Sequence, residues 1–169
     1  MTERPVVKRT ARAILLDSTA PGAADGSDLE MILIKRTKPG EEPYWITPGG
    51  GMEPEDSTVV AALHREVDEE LGAKVVDVVP AFVDTVSHST HHAAHGVKVQ
   101  HFFVCRLASM DLALRHGPEV DEPCGTYEVV RIPFTRAGIA SVVLVPPSLR
   151  AYLDANIEGV RALLADDLG

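Results

Sequence analysis

Residues 45–73 read WITPGGGMEPEDSTVVAALHREVDEELGA, and the organisation of the chain is best understood from this segment outward. Three glycines at 49–51 follow a proline, which indicates a tight turn with an exposed backbone. A helix is predicted to begin near Asp56 or Ser57, since either side chain could cap its first turn, and to end at Gly72. The apolar stripe of this helix consists of Val60, Leu63, Val67 and Leu71.

Three carboxylates project from one side of the predicted helix. Glu66, Glu69 and Glu70 are spaced i, i+3 and i+4, so they share one sector beside the apolar stripe. Like charges at this spacing destabilise a helix by about 0.2–0.5 kcal/mol per pair, and a divalent cation bound by their oxygens would offset that repulsion. Arg65 precedes the trio and could orient one carboxylate through a charge-assisted hydrogen bond. Taken alone, the trio is equally consistent with a solvated acidic helix face.

Apolar and β-branched runs on both sides of this segment predict a set of strands and a last helix. The predicted strands span 6–16, 31–36, 44–46, 75–86, 97–107 and 127–132. The link from Asp17 to Glu30 is rich in Gly, Ala, Ser and Asp and is expected to be a surface loop. The last helix should begin after Pro146 and Pro147. Its predicted buried face consists of Leu149, Leu153, Ile157, Val160 and Leu164.

The net charge and the two cysteines restrict the class of protein. A formal net charge of -9 opposes binding to DNA or RNA polymers, whose affinity depends on Lys and Arg neutralising phosphates. The N-terminus lacks the apolar stretch of a signal peptide and no segment is long enough to span a bilayer, so a cytoplasmic protein without a membrane partner is expected. Cys105 and Cys124 are then expected to be reduced thiols.

The segment 65–73 resembles the second half of the Nudix box, the signature G-x5-E-x7-R-E-U-x-E-E-x-G-U of the Nudix hydrolases, in which U is a bulky aliphatic residue. The match is Arg65-Glu66-Val67-Asp68-Glu69-Glu70-Leu71-Gly72-Ala73, with a small Ala73 in the last aliphatic position. Residues 45–54, WITPGGGMEP, are similar to the sequence that usually leads into that box. The resemblance implies one Nudix hydrolase domain over 1–169, with the box at about 50–73. It also implies an α/β (α+β) fold, an α/β/α sandwich around a mixed β-sheet.

The resemblance assigns roles to the residues of the box. It implies that Glu66, Glu69 and Glu70 bind Mg²⁺ or Mn²⁺, with the carbonyl of Gly50 near the ion and Arg65 orienting the carboxylates. Arg65 and the three glutamates are therefore the expected catalytic residues. Such ions would neutralise a diphosphate, orient a water molecule and stabilise charge on the leaving phosphate.

Residues outside the three glutamates are candidates for holding the substrate and for removing a proton from water. Backbone groups of Gly49 and Gly51 could bind a phosphate. The general base is left open, since members of the family recruit a glutamate from the box helix or from a later loop. Glu119, Glu122 and Glu128 are the later candidates, and Glu128 is also assigned to substrate binding.

The first half of the box departs from the family pattern by one residue. Counting back from Arg65 puts Ser57 in the place of the first box glutamate and Gly51 in the place of the glycine. In the alternative alignment Asp56 supplies the carboxylate and Gly50 is the glycine. The junction, meaning the residues between the glycines and the helix, then carries one extra residue. The second alignment is preferred, because it keeps an acidic side chain in that place.

A histidine-rich segment and one tryptophan have both a functional and a structural interpretation. His88, His91, His92 and His95 are close enough in sequence to suggest a zinc site, but no cysteine or second ligand cluster accompanies them, which favours a solvated or substrate-contacting loop. Trp45 could stack on a base, although its place before the glycines favours packing.

Taken together, these features predict metal-dependent hydrolysis of a pyrophosphate bond. The substrate is expected to be a small nucleotide-like molecule, either a nucleoside diphosphate derivative or a nucleoside triphosphate. The alternative is a nucleotide-sensing module that kept the fold and lost turnover, while a calcium-binding domain is disfavoured because no EF-hand loop pattern is present. The resemblance also makes a homodimer possible.

Overall fold

The computed structural model describes residues 2–18, 29–88, 95–117 and 125–164 of the chain. Within these ranges the strands are β1 (Val6–Ser18), β2 (Leu29–Thr37), β3 (Tyr44–Ile46), β4 (Gly49–Gly51), β5 (Ala73–His88), β6 (Gly96–Met110) and β7 (Thr126–Pro133). The helices are α1 (Val59–Leu71), α2 (Arg136–Ala140) and α3 (Pro147–Ala162), and one 3-10 turn covers Leu112–Leu114.

All seven strands belong to one mixed sheet. Its hydrogen-bonded order is β3-β2-β1-β6-β5, with β4 paired to β1 and β7 paired to β2. The two long strands at its centre, β1 and β6, run parallel, whereas the other pairs are antiparallel. Because side chains alternate along a strand, each face of the sheet carries its own set of apolar residues and requires its own cover.

Helices cover both faces of the sheet and bury two separate cores. On the side that we call the α1 face, Ala11, Ala13 and Leu15 of β1 pack with Leu63, Val67 and Leu71 of α1. On the opposite side, the α3 face, the core includes Ile14, Leu16, Phe102, Val104, Leu149, Leu153, Ile157, Val160 and Leu164. Helix, sheet and helix therefore form the α/β/α sandwich with a mixed sheet that the resemblance to the Nudix box implied.

The first helix begins later than the sequence indicated. Thr58, rather than Asp56 or Ser57, is the N-cap, and its hydroxyl accepts a hydrogen bond of 3.0 Å from the backbone N–H of Ala61. The predicted stripe is also wrong at Val60, which is 37% exposed. The helix ends at Gly72 as expected, and this residue adopts a left-handed conformation with φ 59°.

The glycine segment forms a strand rather than the predicted loop. Gly49–Gly51 pairs antiparallel with β1, through partners Thr10 with Gly51, Ala11 with Gly50 and Arg12 with Gly49. The periodicity of a three-residue glycine strand cannot be recognised from sequence, because it has no side chains to alternate.

The remaining predicted elements are present, and most strands are longer than predicted. The last helix buries Leu149, Leu153, Ile157 and Val160 as predicted, and Leu164 is buried just beyond its end. The short helix α2 was not predicted, since five residues are too few to show a helical period. Residues 19–28 of the expected surface loop lie outside the described residues, while Asp17 and Glu30 at its ends belong to strands. In the described part of the chain, no helix combines the length and apolarity needed to cross a membrane.

The left-handed end of α1 yields a test of the fold with an internal control. A Cβ at Gly72 would lie 2.0 Å from the carbonyl oxygen of Asp111, whereas at Gly40, with φ 76°, it would meet nothing within 4 Å. We expect Gly40→Ala to lower the free energy of unfolding by about 1 kcal/mol from its conformation alone. Gly72→Ala should lower it by about 2 kcal/mol or more, since the backbone must also move. Equal losses in urea denaturation would contradict this account.

Candidate active site

The glycines of β4 lie where larger residues would collide with β1 and α1. At Gly49, where φ is 145°, a Cβ would lie 2.1 Å from the carbonyl oxygen of Ala11. At Gly50 a Cβ would lie 2.6 Å from the Oε1 atom of Glu66. The absence of side chains in β4 thus allows α1 to bring its carboxylates directly against the backbone of the sheet.

Two of the three predicted metal-binding glutamates are buried at this contact. Glu66 is 4% and Glu70 is 7% exposed, which is unusual for carboxylates. Oε2 of Glu70 accepts a hydrogen bond of 3.1 Å from the backbone N–H of Gly49. The side chain of Glu69 is more accessible and lies on the outer side of the cluster. The structure therefore brings Glu66, Glu69 and Glu70 together with the glycine segment, as the helical spacing indicated.

The guanidinium of Arg65 connects these groups. Its Nη1 donates to Oε1 of Glu66 at 3.0 Å and to Oε2 of Glu69 at 3.4 Å. Its Nη2 donates to the carbonyl oxygen of Gly51 at 3.0 Å, and Nε and Nη2 together bind the carboxylate of Asp56. This planar group, with its fixed fork of donors, thus ties the helix, the junction and β4 to one another.

Asp56 anchors Arg65 instead of capping the helix. One of its carboxylate oxygens also accepts a hydrogen bond of 2.8 Å from the backbone N–H of Glu53. The hydrogen bond with Arg65 lowers the pKa of the Asp56 carboxyl most, and the bond from the Glu53 N–H lowers it further. The Asp56–Arg65 bond also raises the pKa of Arg65. This contact favours the alignment in which Asp56 supplies the acidic residue of the first half of the box.

A segment that the sequence did not indicate closes the C-terminal end of α1. The side chain of Arg115 donates to the carbonyl oxygen of Glu70 at 2.6 Å, and the backbone N–H of His116 donates to that of Glu69 at 2.8 Å. Gly117 is so close that its Cβ would lie 3.1 Å from Oε2 of Glu69. These contacts hold the turn that carries both glutamates. No local motif marks them, because they join residues more than forty positions apart.

On the α3 face, Arg12 approaches the same glycine strand from the other side. Its Nη1 donates to the carbonyl oxygens of Thr47 and Gly49, at 3.1 Å each. A cavity of about 200 Å³ adjoins these bonds. It is lined by Arg12, Ile46, Thr47, Gln100, Val145 and Pro146. This mixture of apolar walls and a few directed polar groups is typical of a small-molecule site. The only sequence signal for it is the alternation of polar residues in β1.

The other predicted site residues lie elsewhere or outside the described residues. Glu128 is exposed on β7 opposite Lys35, and it forms no hydrogen bond or ion pair with the described residues of α1 or β4. Glu119 and Glu122 lie outside the described residues, so their role as general base stays a prediction. Trp45 packs against the core of the α3 face, as expected.

The histidine and cysteine predictions are only partly covered by the structure. His88 ends β5 and His95 precedes β6, whereas His91 and His92 fall outside the described residues. Cys105 is a buried free thiol, and burial raises its pKa to about 12, which keeps it in the unreactive thiol form. Cys124 also falls outside the described residues.

A comparison of the chain with protein-family models shows the family to which this site belongs. The protein-family model of the NUDIX domain matches residues 9–138, which include β4, α1 and all the contacts of Arg65. The chain belongs to the Nudix family. It is accordingly a Nudix hydrolase, and its family acts on nucleoside diphosphate derivatives and generally uses divalent metal cations.

Solved structures share the Nudix fold at low sequence identity. A NUDIX hydrolase from Nitrosomonas europaea is 17% identical, with 92% of this chain and 90% of that chain covered and a TM-score of 0.62. An Ap4A hydrolase from C. elegans is 14% identical, with 92% and 98% covered and a TM-score of 0.56. The NUDIX domain of NrtR from Shewanella oneidensis, complexed with ADP ribose, is 16% identical, with 93% and 90% covered and a TM-score of 0.53.

The donors around Arg65 fit the kind of cation that Nudix hydrolases generally use. Carboxylates of Glu53, Asp56, Glu66 and Glu69 lie within 3.6 Å of its guanidinium, so one positive charge faces four negative ones. Oxygen donors with surplus negative charge suit a hard divalent ion. As they stand, no three His, Cys, Asp or Glu side chains of the described residues converge on a metal position.

The lowered pKa of Asp56 predicts a pH-dependent stability. We expect Asp56→Asn to lower the melting temperature at pH 7, because Arg65 loses the carboxylate that fixes it. The carboxylate contributes stability above its ordinary pKa of 3.8, and this contribution is lost as the pH falls through the lower value of the folded protein. The difference in melting temperature between Asp56→Asn and native protein should therefore become smaller below about pH 4. Asp154→Asn, at a side chain that is 72% exposed, is the control and should show no such gap.

Proposed function

We propose that this Nudix hydrolase cuts the pyrophosphate linkage of a small nucleoside diphosphate derivative or nucleoside triphosphate, with Mg²⁺ or Mn²⁺ as cofactor. One observation carries the proposal. Glu66, Glu69 and Glu70 are gathered against a side-chain-free strand by Arg65 and by the N–H of Gly49. A cluster of buried carboxylates costs folding energy, and this cost favours a function that requires the negative charge.

The metal ligands that we propose are the three glutamates and the carbonyl of Gly50. When bound, such a cation neutralises the diphosphate and activates a water molecule. The contribution of the chain is to hold the donors in place. Arg65 orients Glu66 and Glu69, and the N–H of Gly49 fixes Oε2 of Glu70 against the glycine strand.

The remaining parts of the site are proposed to bind the substrate. The backbone of Gly49 and Gly51 lies between the carboxylates on one side and Arg12 and Lys8 on the other, and its groups are proposed to bind a phosphate of the substrate. The cavity beside Arg12 offers apolar walls and the amide of Gln100 to the organic part of the substrate. Glu128 is far less suited to this role, because it is exposed on β7, opposite Lys35 of β2 in the strand register.

A nucleotide-sensing module is the second candidate, and the shifted junction at Asp56 is the observation that favours it. The NUDIX domain of the Shewanella oneidensis neighbour is described as bound to ADP ribose, so the fold can hold such a ligand. The intact contacts of Arg65 with Glu66 and Glu69 support the enzyme. Turnover of nucleotides in the presence of Mg²⁺ separates the two.

Substitution of the proposed ligands tests the role of the carboxylates. We expect Glu69→Gln and Glu70→Gln each to reduce kcat by about 100-fold or more, since a lost ligand removes charge stabilisation specific to the transition state. The melting temperature should be preserved or rise slightly, because repulsion within the cluster falls. Glu55→Gln, at an exposed glutamate near the junction, is the matched control and should retain native kcat. Near-native kcat of both cluster variants at saturating Mg²⁺ would rule out the metal assignment.

The products identify the bond that is cut. We expect a nucleoside monophosphate together with a phosphorylated partner or pyrophosphate, because the carboxylate cluster and β4 suit a diphosphate better than a single phosphate. Hydrolysis in oxygen-18 water followed by mass spectrometry should place one heavy oxygen on one of the two phosphorylated products. Release of orthophosphate from simple monoesters, with diphosphate derivatives left intact, would contradict the proposal.

A further inference from the structure

Two lysines lie side by side on the α3 face of the sheet, beyond the part that α3 covers. Lys8 of β1 and Lys98 of β6 are direct partners in the parallel register. Side-chain alternation puts Lys8 on the same face as Arg12, and Lys98 on the same face as Phe102 of the core. We call Lys8, Lys98 and Arg12 the cation row.

The cation row has an electrostatic cost within the protein. Like charges on directly paired strand residues destabilise a sheet. Partial burial, followed by repulsion from Lys8 and Arg12, lowers the pKa of Lys98, and the attraction of Asp84 only partly opposes this. Among the described residues, no carboxylate forms an ion pair with Lys8 or Lys98. The positive charge of the row is therefore not neutralised by an ion pair among the described residues, which favours a site for an external anion.

A buried hydroxyl within the row points to the same conclusion. Thr10 lies between Lys8 and Arg12 on their face of β1 and is 3% exposed. Its Oγ1 has no hydrogen-bond partner among the described residues. Its neighbour in register, Gln100, is also buried and donates to Asp84 at 3.4 Å. Buried hydroxyls are nearly always hydrogen-bonded, so Thr10 has an unused hydroxyl donor between Lys8 and Arg12.

The row adjoins the carboxylate cluster through β4. The Cε atom of Lys8 would be 3.5 Å from a Cβ at Gly51, and the carbonyl of Gly51 is the one that binds Arg65. A cleft of about 510 Å³ runs between this part of β1 and the junction before α1, with Lys8 on one wall and Glu53 and Asp56 on the other. A ligand in this cleft can therefore contact Lys8 close to Gly51, whose carbonyl oxygen binds Arg65 next to the glutamates.

We propose that Lys8, Lys98 and Thr10, flanked by Arg12, form an anion subsite for a phosphoryl group of the substrate beyond the diphosphate held at the carboxylate cluster. This inference rests on the proposed function and narrows its substrate class. A diphosphate linked to a neutral sugar offers the row no charge, whereas the additional phosphate of a nucleoside triphosphate does. The preferred substrates are therefore nucleotides with a chain of three or more phosphates.

Binding of inorganic tripolyphosphate to metal-free protein tests the subsite without any turnover. Calorimetry is done on native protein, on Lys8→Gln/Lys98→Gln, and on the control Lys38→Gln/Lys74→Gln, which removes the same charge outside the cleft. We expect the first double variant to bind at least about tenfold more weakly and the control to bind within about twofold of native. The melting temperature of Lys8→Gln/Lys98→Gln should equal or exceed that of native protein, because the repulsion between the two lysines is gone. Equal binding by both double variants, or no binding by native protein, would overturn the subsite.

The substrate class is tested by the ratio of kcat/KM for a nucleoside triphosphate to that for ADP-ribose in the presence of Mg²⁺. This ratio should fall at least about tenfold in Lys8→Gln/Lys98→Gln and stay unchanged in the control. An unchanged ratio in the variant would overturn the assignment to triphosphates even if tripolyphosphate binds. If native protein shows no turnover of any nucleotide, the proposed function fails, and the metal-free binding experiment still decides the subsite.

Discussion

The guanidinium of Arg65 is the group on which the geometry of the site depends. It binds Asp56, Glu66, Glu69 and the carbonyl of Gly51 at once, and so it joins the junction, the helix and the glycine strand. Without the positive charge of Arg65, the carboxylates would repel one another and α1 would lose the hydrogen-bonded link that Arg65 makes to β4. A lysine could supply the charge but not the planar fork of donors that satisfies these partners together.

The parts of the site that could be predicted are those encoded by local spacing. A helical period places Glu66, Glu69 and Glu70 in one sector whatever the helix packs against, and the neighbouring Arg65 is within reach of them. The strands and the last helix were predictable for the same reason, because burial on one face leaves a periodic pattern in the sequence.

The parts that could not be predicted depend on residues that are distant in sequence. The glycines form a strand only because β1 is there to pair with them, and Arg115 binds Glu70 although β5 and β6 separate the two residues in the sequence. Competition among three adjacent polar residues hid the true helix cap, since Asp56 is used by Arg65 and Thr58 takes its place. The meaning of Lys8 likewise depends on the parallel register that puts Lys98 beside it.

The parallel pairing of β1 with β6 also has a consequence for how the protein folds. It joins Thr10 to Gln100, so a long loop must close before the centre of the sheet exists, and such non-local contacts form slowly. The glycine strand β4 pairs with β1, so the site is attached directly to one of the two central strands. On the ribosome, α1 can therefore become helical early, but Arg115 and His116, which hold the turn of Glu69 and Glu70, are synthesised only after β6. Until then the apolar side chains of β1 and α1 lack their native cover, and the nascent chain passes through a stage in which it is prone to aggregate.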